Sequence, residues 1–161
     1  MSLHNPLVAV AAALTLAACT FTPVYGPDGP GQRLFGQVQP AQPNTQDEFA
    51  FTRRLGERLG SEGSRYTLNY KLQIAVVPQA ITRDQNTTRY SLNGTAAFTL
   101  TDRSTGAVVT RGQVSNFTSY SAVGTTIATL AAETDARNRL AIMLADQVLT
   151  RLYATMPADS P

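Results

Sequence analysis

Three long segments of the chain alternate between apolar and polar residues, as half-buried β-strands do. The first runs from Tyr66 to Val77, where every second side chain is apolar or aromatic. The pattern returns from Arg89 to Thr101 and again from Ala107 to Tyr120, with the turn sequence Asp102–Gly106 between them. These last two segments are therefore predicted to form an antiparallel hairpin.

Three interruptions set the expected limits of the strands. Pro78 is expected to stop the first long strand, because proline cannot donate to a central ladder. The apolar residues change phase between Val114 and Phe117, which predicts a bulge or an early strand end. A further short strand is predicted over Arg33–Gln39, before Pro40.

A helix is predicted to begin after Thr45. The segment Thr45–Glu48 matches a capping box, in which the threonine hydroxyl and the glutamate carboxylate accept hydrogen bonds from free backbone amides. Phe51, Leu55 and Leu59 then repeat every four residues and give the helix one apolar stripe. Gly60 is expected to end it.

The longest helical pattern covers Thr125 to Tyr153 and is expected to pack across the sheet. Arg137 projects into its apolar stripe, where we expect it to pair with Glu133 one turn earlier. The residues assigned to the stripe are Ile127, Leu130, Ala131, Ala141, Leu144, Ala145, Val148, Leu149 and Leu152.

The order strand, helix, three strands, helix predicts an α/β protein of the α+β type. We expect a two-layer sandwich with a mixed sheet of about four strands and both helices on one face. Residues 33–156 are predicted to form this single domain, and residues 157–161 a C-terminal tail.

The N-terminus has the pattern of a bacterial lipoprotein signal. An apolar run from Leu7 to Ala18 ends in Leu-Ala-Ala directly before Cys19, and it is too short to cross a bilayer as a helix. Residues 1–18 are therefore predicted to be a removed signal peptide and Cys19 the lipidation site. The alternative is a buried free thiol behind a core helix. Residues 19–32 contain three Pro and three Gly and are predicted to be a tether.

Composition argues against several classes of activity. The net charge of +2 is too small to predict nucleic-acid binding. His4, the only histidine, would leave with the signal peptide, and Cys19 is the only cysteine. The sequence contains no nucleotide-binding or hydrolase motif. We therefore predict a protein that is not an enzyme and has no metal or other cofactor apart from the lipid on Cys19.

Two sets of polar residues are candidates for binding. One set lies on the sheet face opposite the helices, and this face would suit either water or the wet interior of a membrane β-barrel. The other is the segment Ile81–Tyr90, where Arg83 and Arg89 would suit an anionic lipid head group or simply meet solvent. The face residues predicted to meet a barrel are Asn69, Lys71, Gln73, Ser91, Asn93 and Thr95.

Several short motifs resemble the LPS-assembly lipoprotein family LptE. They are the opening Cys19-Thr-Phe-Thr-Pro-Val-Tyr-Gly, the segment from Arg83-Asp84 to Thr88-Arg89-Tyr90, Ser119-Tyr120-Ser121, Ala128–Glu133, and Asp135-Ala136-Arg137. Their order along the chain, together with the signal sequence and the element pattern, carries the resemblance, which spans nearly the whole mature chain.

The resemblance implies a lipid-anchored protein on the periplasmic side of the outer membrane of a Gram-negative bacterium. Members of the family plug the barrel translocon LptD, assist its assembly and help to deliver lipopolysaccharide to the cell surface. Arg83 matches a lipopolysaccharide-binding loop arginine of the family by position. A second basic contact of the family, between the last strand and the last helix, has no counterpart, since Tyr120–Ala132 contains neither Lys nor Arg.

A competing interpretation is a periplasmic lipoprotein that is accessory to an ABC-type lipid transporter. Such a protein can share the lipoprotein signal and a similar Pro-Val-Tyr-Gly opening. It would contact transporter subunits instead of filling a barrel, so copurification with a large β-barrel separates the two interpretations.

Replacing Cys19 tests the predicted anchor. In Cys19→Ala, metabolic palmitate labelling should vanish, because the chain has no other thiol that could be acylated. Labelling that survives the substitution would refute lipidation at this position.

Overall fold

The computed structural model describes residues 24, 26, 29–60, 62–81 and 87–155. The predicted signal peptide, Cys19, Arg83 and the tail 157–161 lie outside these residues, as does most of the tether. The side chains of Ala80 and Ile81 are also not described.

The described chain forms three helices and one mixed four-stranded sheet, which confirms the predicted α+β sandwich. The strands lie side by side in chain order, with β1 parallel to β2 and the other pairs antiparallel. In chain order the elements are α1 (Pro30–Leu34), β1 (Val38–Pro40), α2 (Gln46–Leu59), β2 (Tyr66–Ile81), β3 (Thr87–Asp102), β4 (Val108–Ser121) and α3 (Thr126–Thr155).

The start of the domain differs from the predicted strand over Arg33–Gln39. Leu34 closes the short helix α1, which begins at Pro30, and strand β1 has only three residues. Proline is well suited to the first helical position, because its missing N–H would have no partner there. Leu34 and Val38 are fully buried.

Strand β2 continues through Pro78 to Ile81, so the predicted stop at Pro78 is wrong. β1 pairs with β2 only up to Leu68, and beyond that point β2 is an edge strand. The backbone groups of even-numbered residues point to this edge, as the hydrogen bond from Ala41 N to Leu68 O shows. Pro78 therefore removes no donor from the ladder with β3, where it pairs with Tyr90.

Strand β4 runs without a bulge between Val114 and Phe117, so that prediction is also wrong. Both residues keep the regular register with β3, and Phe117 points to the face opposite the helices, where it is 71% exposed. The apolar pattern changes phase because Phe117 is an exposed aromatic residue on an otherwise polar face. The register shift between β3 and β4 occurs instead between Leu100 and Thr101.

Helix α2 begins at the predicted cap. Thr45 Oγ1 accepts a hydrogen bond from Glu48 N at 3.2 Å. The Glu48 carboxylate accepts from Asn44 N at 2.7 Å, one residue earlier than in a standard capping box. The helix ends at Gly60, whose φ of 83° favours glycine.

Helices α2 and α3 are parallel neighbours held together by ion pairs. Arg137 Nε lies 2.8 Å from Glu133 Oε1, as predicted, and its Nη1 also lies 3.2 Å from Asp47 Oδ2 on α2. Further along, Arg54 forms a two-pronged contact with Asp146, at 2.8 and 3.2 Å. The bidentate geometry orients the helices relative to each other as well as attracting them.

The first turns of α3 do not pack on the sheet. Ile127 is 82% exposed, Leu130 is 64% exposed and Ala131 is also exposed, which contradicts their assignment to the buried stripe. Burial begins at Ala136 and continues through Leu152. A 30-residue helix extends about 45 Å, so it need not be buried along its whole length.

Gly94 marks a close approach of α3 to the sheet. A Cβ atom at this position of β3 would lie 2.8 Å from Leu144 Cδ1 and 3.0 Å from Leu140 Cδ2. Both leucines are fully buried, so they have little room to move away. The missing side chain lets the helix rest directly on the strand.

Substitutions at two glycines should therefore have opposite effects on stability. Gly94→Ala should destabilise the protein by about 1–3 kcal/mol through overpacking. Gly56→Ala is the matched control: no atom lies within 4 Å of the added Cβ, and alanine in a helix should stabilise by about 0.5–1 kcal/mol. Urea unfolding should show the two midpoints moving in opposite directions, and a shift in the same direction would contradict this account of the contact.

Candidate functional site: the outer face of the sheet

The sheet face opposite the helices, here called the outer face, is formed by alternate residues of the three long strands. Register places side chains in rows across it, for example Ala75, Asn93 and Phe117 in one row and Asn69, Thr99 and Arg111 in another. Its members are Thr67, Asn69, Lys71, Gln73, Ala75, Val77, Arg89, Ser91, Asn93, Thr95, Ala97, Thr99, Thr101, Arg111, Gln113, Ser115, Phe117, Ser119 and Ser121.

The outer face is rich in hydroxyl and amide groups and carries charge of one sign only. Lys71, Arg89 and Arg111 are its cations, and none of its members is Asp or Glu. Among the described residues, these three cations form no salt bridge. The face can therefore donate hydrogen bonds to a surface that supplies acceptors, and its positive charge attracts negatively charged groups.

The structure brings the six predicted barrel-facing residues together on this face, but they are not equally accessible. Asn69, Lys71, Gln73 and Asn93 are exposed, and Thr95 is half-buried. Ser91 is only 8% exposed, and its hydroxyl donates to Asn93 Oδ1 at 3.0 Å. Ser91 thus orients Asn93 and offers little surface of its own.

Strand β4 supplies residues that sequence reasoning missed. Arg111, Gln113, Ser115 and Phe117 follow a period of two and share the outer face. The period-two alternation of these residues is visible in the sequence, but the large aromatic side chain of Phe117 resembles a break in it. With flanking serines on its own strand, the Phe117 ring stands above its neighbours.

Only one of the two predicted lipid-contact arginines lies within the described residues. Arg83 lies outside the described residues. Arg89 lies within β3 and not in a loop, because that strand already begins at Thr87. It is exposed at the end of the sheet and is paired in register with Ser121, the last residue of β4.

An exposed apolar side chain, Val123, follows two residues after Ser121, the register partner of Arg89. Val123 N donates to Ser121 Oγ at 3.3 Å, and the Val123 side chain is 71% exposed. This end of the sheet therefore combines one exposed cation with uncovered apolar surface.

The helix side of the protein contains a groove. It has a volume of about 670 Å³ and lies between the N-terminal halves of α2 and α3. Its charged lining includes Arg137 and Asp47, which pair with each other. The remaining lining residues are Gln46, Ala50, Arg53, Ile127, Leu130, Ala131, Thr134, Asp135 and Asn138.

Two tyrosines with raised pKa values, Tyr70 and Tyr120, are part of the packing between helices and sheet. Burial, with a smaller contribution from Glu48, raises the pKa of Tyr70 to about 12. Burial and the nearby Glu133 carboxylate raise the pKa of Tyr120, whose hydroxyl donates to Glu133 at 3.3 Å. Tyr120 also stacks on Tyr90, with ring centroids 5.3 Å apart. These contacts explain the shifts by structure alone.

Two features are absent from the described part of the chain. No cluster of three or more His, Cys, Asp or Glu side chains that could hold a metal occurs there. None of its helices is long and apolar enough to span a bilayer.

The fold and the outer face together define a small α+β protein suited to binding through an open sheet surface. Residues 36–152, most of the domain, match the LptE family, which is described as lipopolysaccharide-assembly. The chain belongs to this family and is a lipopolysaccharide-assembly lipoprotein, which confirms the resemblance found in the sequence. No curated protein matches the chain.

Solved structures of three bacterial lipoproteins share the fold. A lipoprotein from Caulobacter crescentus CB15 is 17% identical, covers 76% of this chain and 92% of its own, and has a TM-score of 0.62. Rare lipoprotein B from Shewanella oneidensis is 13% identical over 74% and 93% of the two chains, with a TM-score of 0.57. A minor lipoprotein from Acinetobacter baumannii is 18% identical over 79% and 98%, also with a TM-score of 0.57.

Proposed function

We propose that this protein is an outer-membrane lipoprotein that plugs and helps to assemble an LptD-type barrel translocon. The observation that carries the proposal is the outer face, which has hydrogen-bonding groups and three cations but no carboxylate. The interior of a transmembrane barrel is polar, so such a face can lie against it and exchange water for direct hydrogen bonds. The role is one of binding, without a catalytic step.

Phe117 is the proposed anchor of this interface. An exposed aromatic ring surrounded by polar residues is the arrangement from which interfaces draw much of their binding energy, because the polar rim excludes water from the aromatic contact. If this face met only water, the ring would stay exposed and would contribute no binding free energy. The position of Phe117 therefore favours a partner surface over solvent.

Photocrosslinking tests the proposed orientation. A benzoylphenylalanine replacing Phe117 should capture a large β-barrel protein in cells, and the same probe at Asn93 in the neighbouring strand should do likewise. The matched control is the probe at Phe49, a 60% exposed phenylalanine on α2, which should give a much weaker product. Because both phenylalanines are exposed, neither replacement should disturb the core.

Two results would contradict the proposed role. Capture of the barrel from Phe49 but not from Phe117 would mean that the helix side faces the wall. Capture of inner-membrane transporter subunits alone would support the accessory-lipoprotein interpretation.

We further propose that lipopolysaccharide contacts Arg83 and the end of the sheet that carries Arg89. Arg89 is exposed there, and Val123, two residues after its register partner Ser121, leaves apolar surface uncovered. A guanidinium group beside apolar side chains matches a ligand with phosphate groups and acyl chains. The position of Arg83 in this contact rests on the family resemblance.

Charge reversal at this end should weaken lipopolysaccharide binding. For the double variant Arg83→Glu/Arg89→Glu we expect a loss of about 1–3 kcal/mol, toward the lower value because exposed contacts are screened. Arg58→Glu/Arg103→Glu is the matched control, since both residues are exposed and the net charge changes equally. Binding to lipopolysaccharide should be measured for both variants at low and high salt. Equal binding by the two double variants would show that the Arg83 and Arg89 end meets only solvent.

A further inference from the structure

The groove between α2 and α3 has apolar walls that the rest of the domain leaves uncovered. Ile127 is 82% exposed and Leu130 is 64% exposed, and both line the groove together with Ala50 and Ala131. Side chains three and four residues apart lie on one face of a helix, so the three α3 residues form a single apolar strip. The groove volume of about 670 Å³ lies within the range of about 300–1,000 Å³ that is usual for small-molecule sites.

One cation that lines the groove has no ion pair among the described residues. This cation is Arg53, an exposed residue of α2. The other charged lining residues are paired: Asp47 lies 3.2 Å from Arg137. Asp135 lies 3.1 Å from Arg139, one turn further along α3. The groove therefore combines an apolar strip with one guanidinium group that is available to an anion.

The groove lies at the end of the domain that carries Arg89. Tyr90 follows Arg89 in β3, and its ring stacks on Tyr120, whose hydroxyl donates to Glu133 of α3. Glu133 in turn pairs with Arg137, which lines the groove. This series of contacts connects the end of the sheet with the groove on the helix side. The groove and the proposed lipopolysaccharide contact are therefore close enough to serve one ligand.

The wall of a barrel does not account for the apolar strip. The interior of a transmembrane barrel is polar, so contact with it would place polar groups against Ile127 and Leu130. A lipid acyl chain covers apolar side chains without requiring hydrogen-bond partners. The phosphate group of a lipid can also pair with the guanidinium group beside the strip. Of the two partners proposed above, only lipopolysaccharide offers both an acyl chain and a phosphate group.

We propose that the groove between α2 and α3 holds one acyl chain of lipopolysaccharide, and that Arg53 pairs with a phosphate group of the same molecule. The inference rests on the proposed delivery of lipopolysaccharide and adds a site for its apolar part. The proposed contact at Arg89 holds only the head group. A protein that shields an acyl chain from water lowers the free-energy cost of moving the lipid through a polar lumen.

Photocrosslinking in cells that express the full chain tests the occupant of the groove. Benzoylphenylalanine replacing the exposed Leu130 should capture lipopolysaccharide, detected on a denaturing gel with an antibody against it. The matched control is the same probe at Ala154, an exposed residue in the last turn of α3. It should give about fivefold less lipopolysaccharide adduct, because this end of the helix lies outside the groove.

Three results of this experiment would overturn the proposal. Equal lipopolysaccharide adducts from Leu130 and Ala154 would indicate contact without a defined site. A protein adduct from Leu130 in place of a lipopolysaccharide adduct would show that the groove faces a partner chain. A phospholipid adduct alone, identified by mass spectrometry, would show that the acyl chain comes from the surrounding membrane.

Substitutions in the chain that carries the Leu130 probe test the two parts of the site. Arg53→Gln removes the cation and Ala131→Trp fills the apolar strip, so each should lower the lipopolysaccharide adduct by about fivefold. The matched controls are Arg58→Gln, at an exposed α2 arginine outside the groove, and Ala154→Trp. Neither control should change the yield. An unchanged yield in Arg53→Gln or in Ala131→Trp would overturn the proposal.

A probe at Val123 separates failure of the groove from failure of the proposed function. Val123 is 71% exposed and lies at the end of the sheet that carries Arg89. Capture of lipopolysaccharide from Val123 but not from Leu130 would overturn the groove and leave the proposed head-group contact standing. Capture from neither position would remove both. Copurification of each variant with a barrel is a separate readout, which shows whether the fold and the plug role are intact.

Discussion

The architecture depends on the close contact between helix α3 and the centre of strand β3. Gly94 has no side chain, so Leu140 and Leu144 rest on the strand itself. From Ala136 to Leu152 the apolar side chains of α3 are buried against the sheet, and the burial of this apolar surface stabilises the fold. Since all three helices lie on this side, the other face is left without a cover inside the chain.

The division of the sheet into a buried and an open face connects the fold with the proposed function. The ion pairs of Arg137 and Arg54 fix the two long helices to each other, and this helix layer supports the sheet from one side. A sheet supported in this way can present a row of small polar groups in a fixed arrangement, so that binding orders few side chains.

Much of the fold could be predicted because the hydrophobic periods of strands and helices are patterns among residues close together in the sequence. The alternation from Tyr66 onward and the cap at Thr45 depend only on neighbouring residues. The errors arose where the outcome depends on distant ones. Pro78 is tolerated because β1 is too short to reach it, and Ile127 is exposed because α2 does not extend far enough to cover it. Phe117 interrupts the expected pattern because it is an apolar side chain on the face that the helices do not cover, where it stays exposed. The same limit applies to the role of Arg89, since a single cation in the sequence does not specify its ligand.

The short parallel strand β1 has a consequence for how the chain folds. Strands β2, β3 and β4 and helix α3 follow one another directly, so their contacts close short loops and can form early. β1 must instead reach β2 across the whole of α2, and it meets Gly63 so closely that a Cβ there would overlap the Val38 backbone. Pairing over only three residues contributes little stabilising free energy until α2 is in place. We therefore expect β1 to dock last, completing the N-terminal side of the domain after the rest of the sheet has formed.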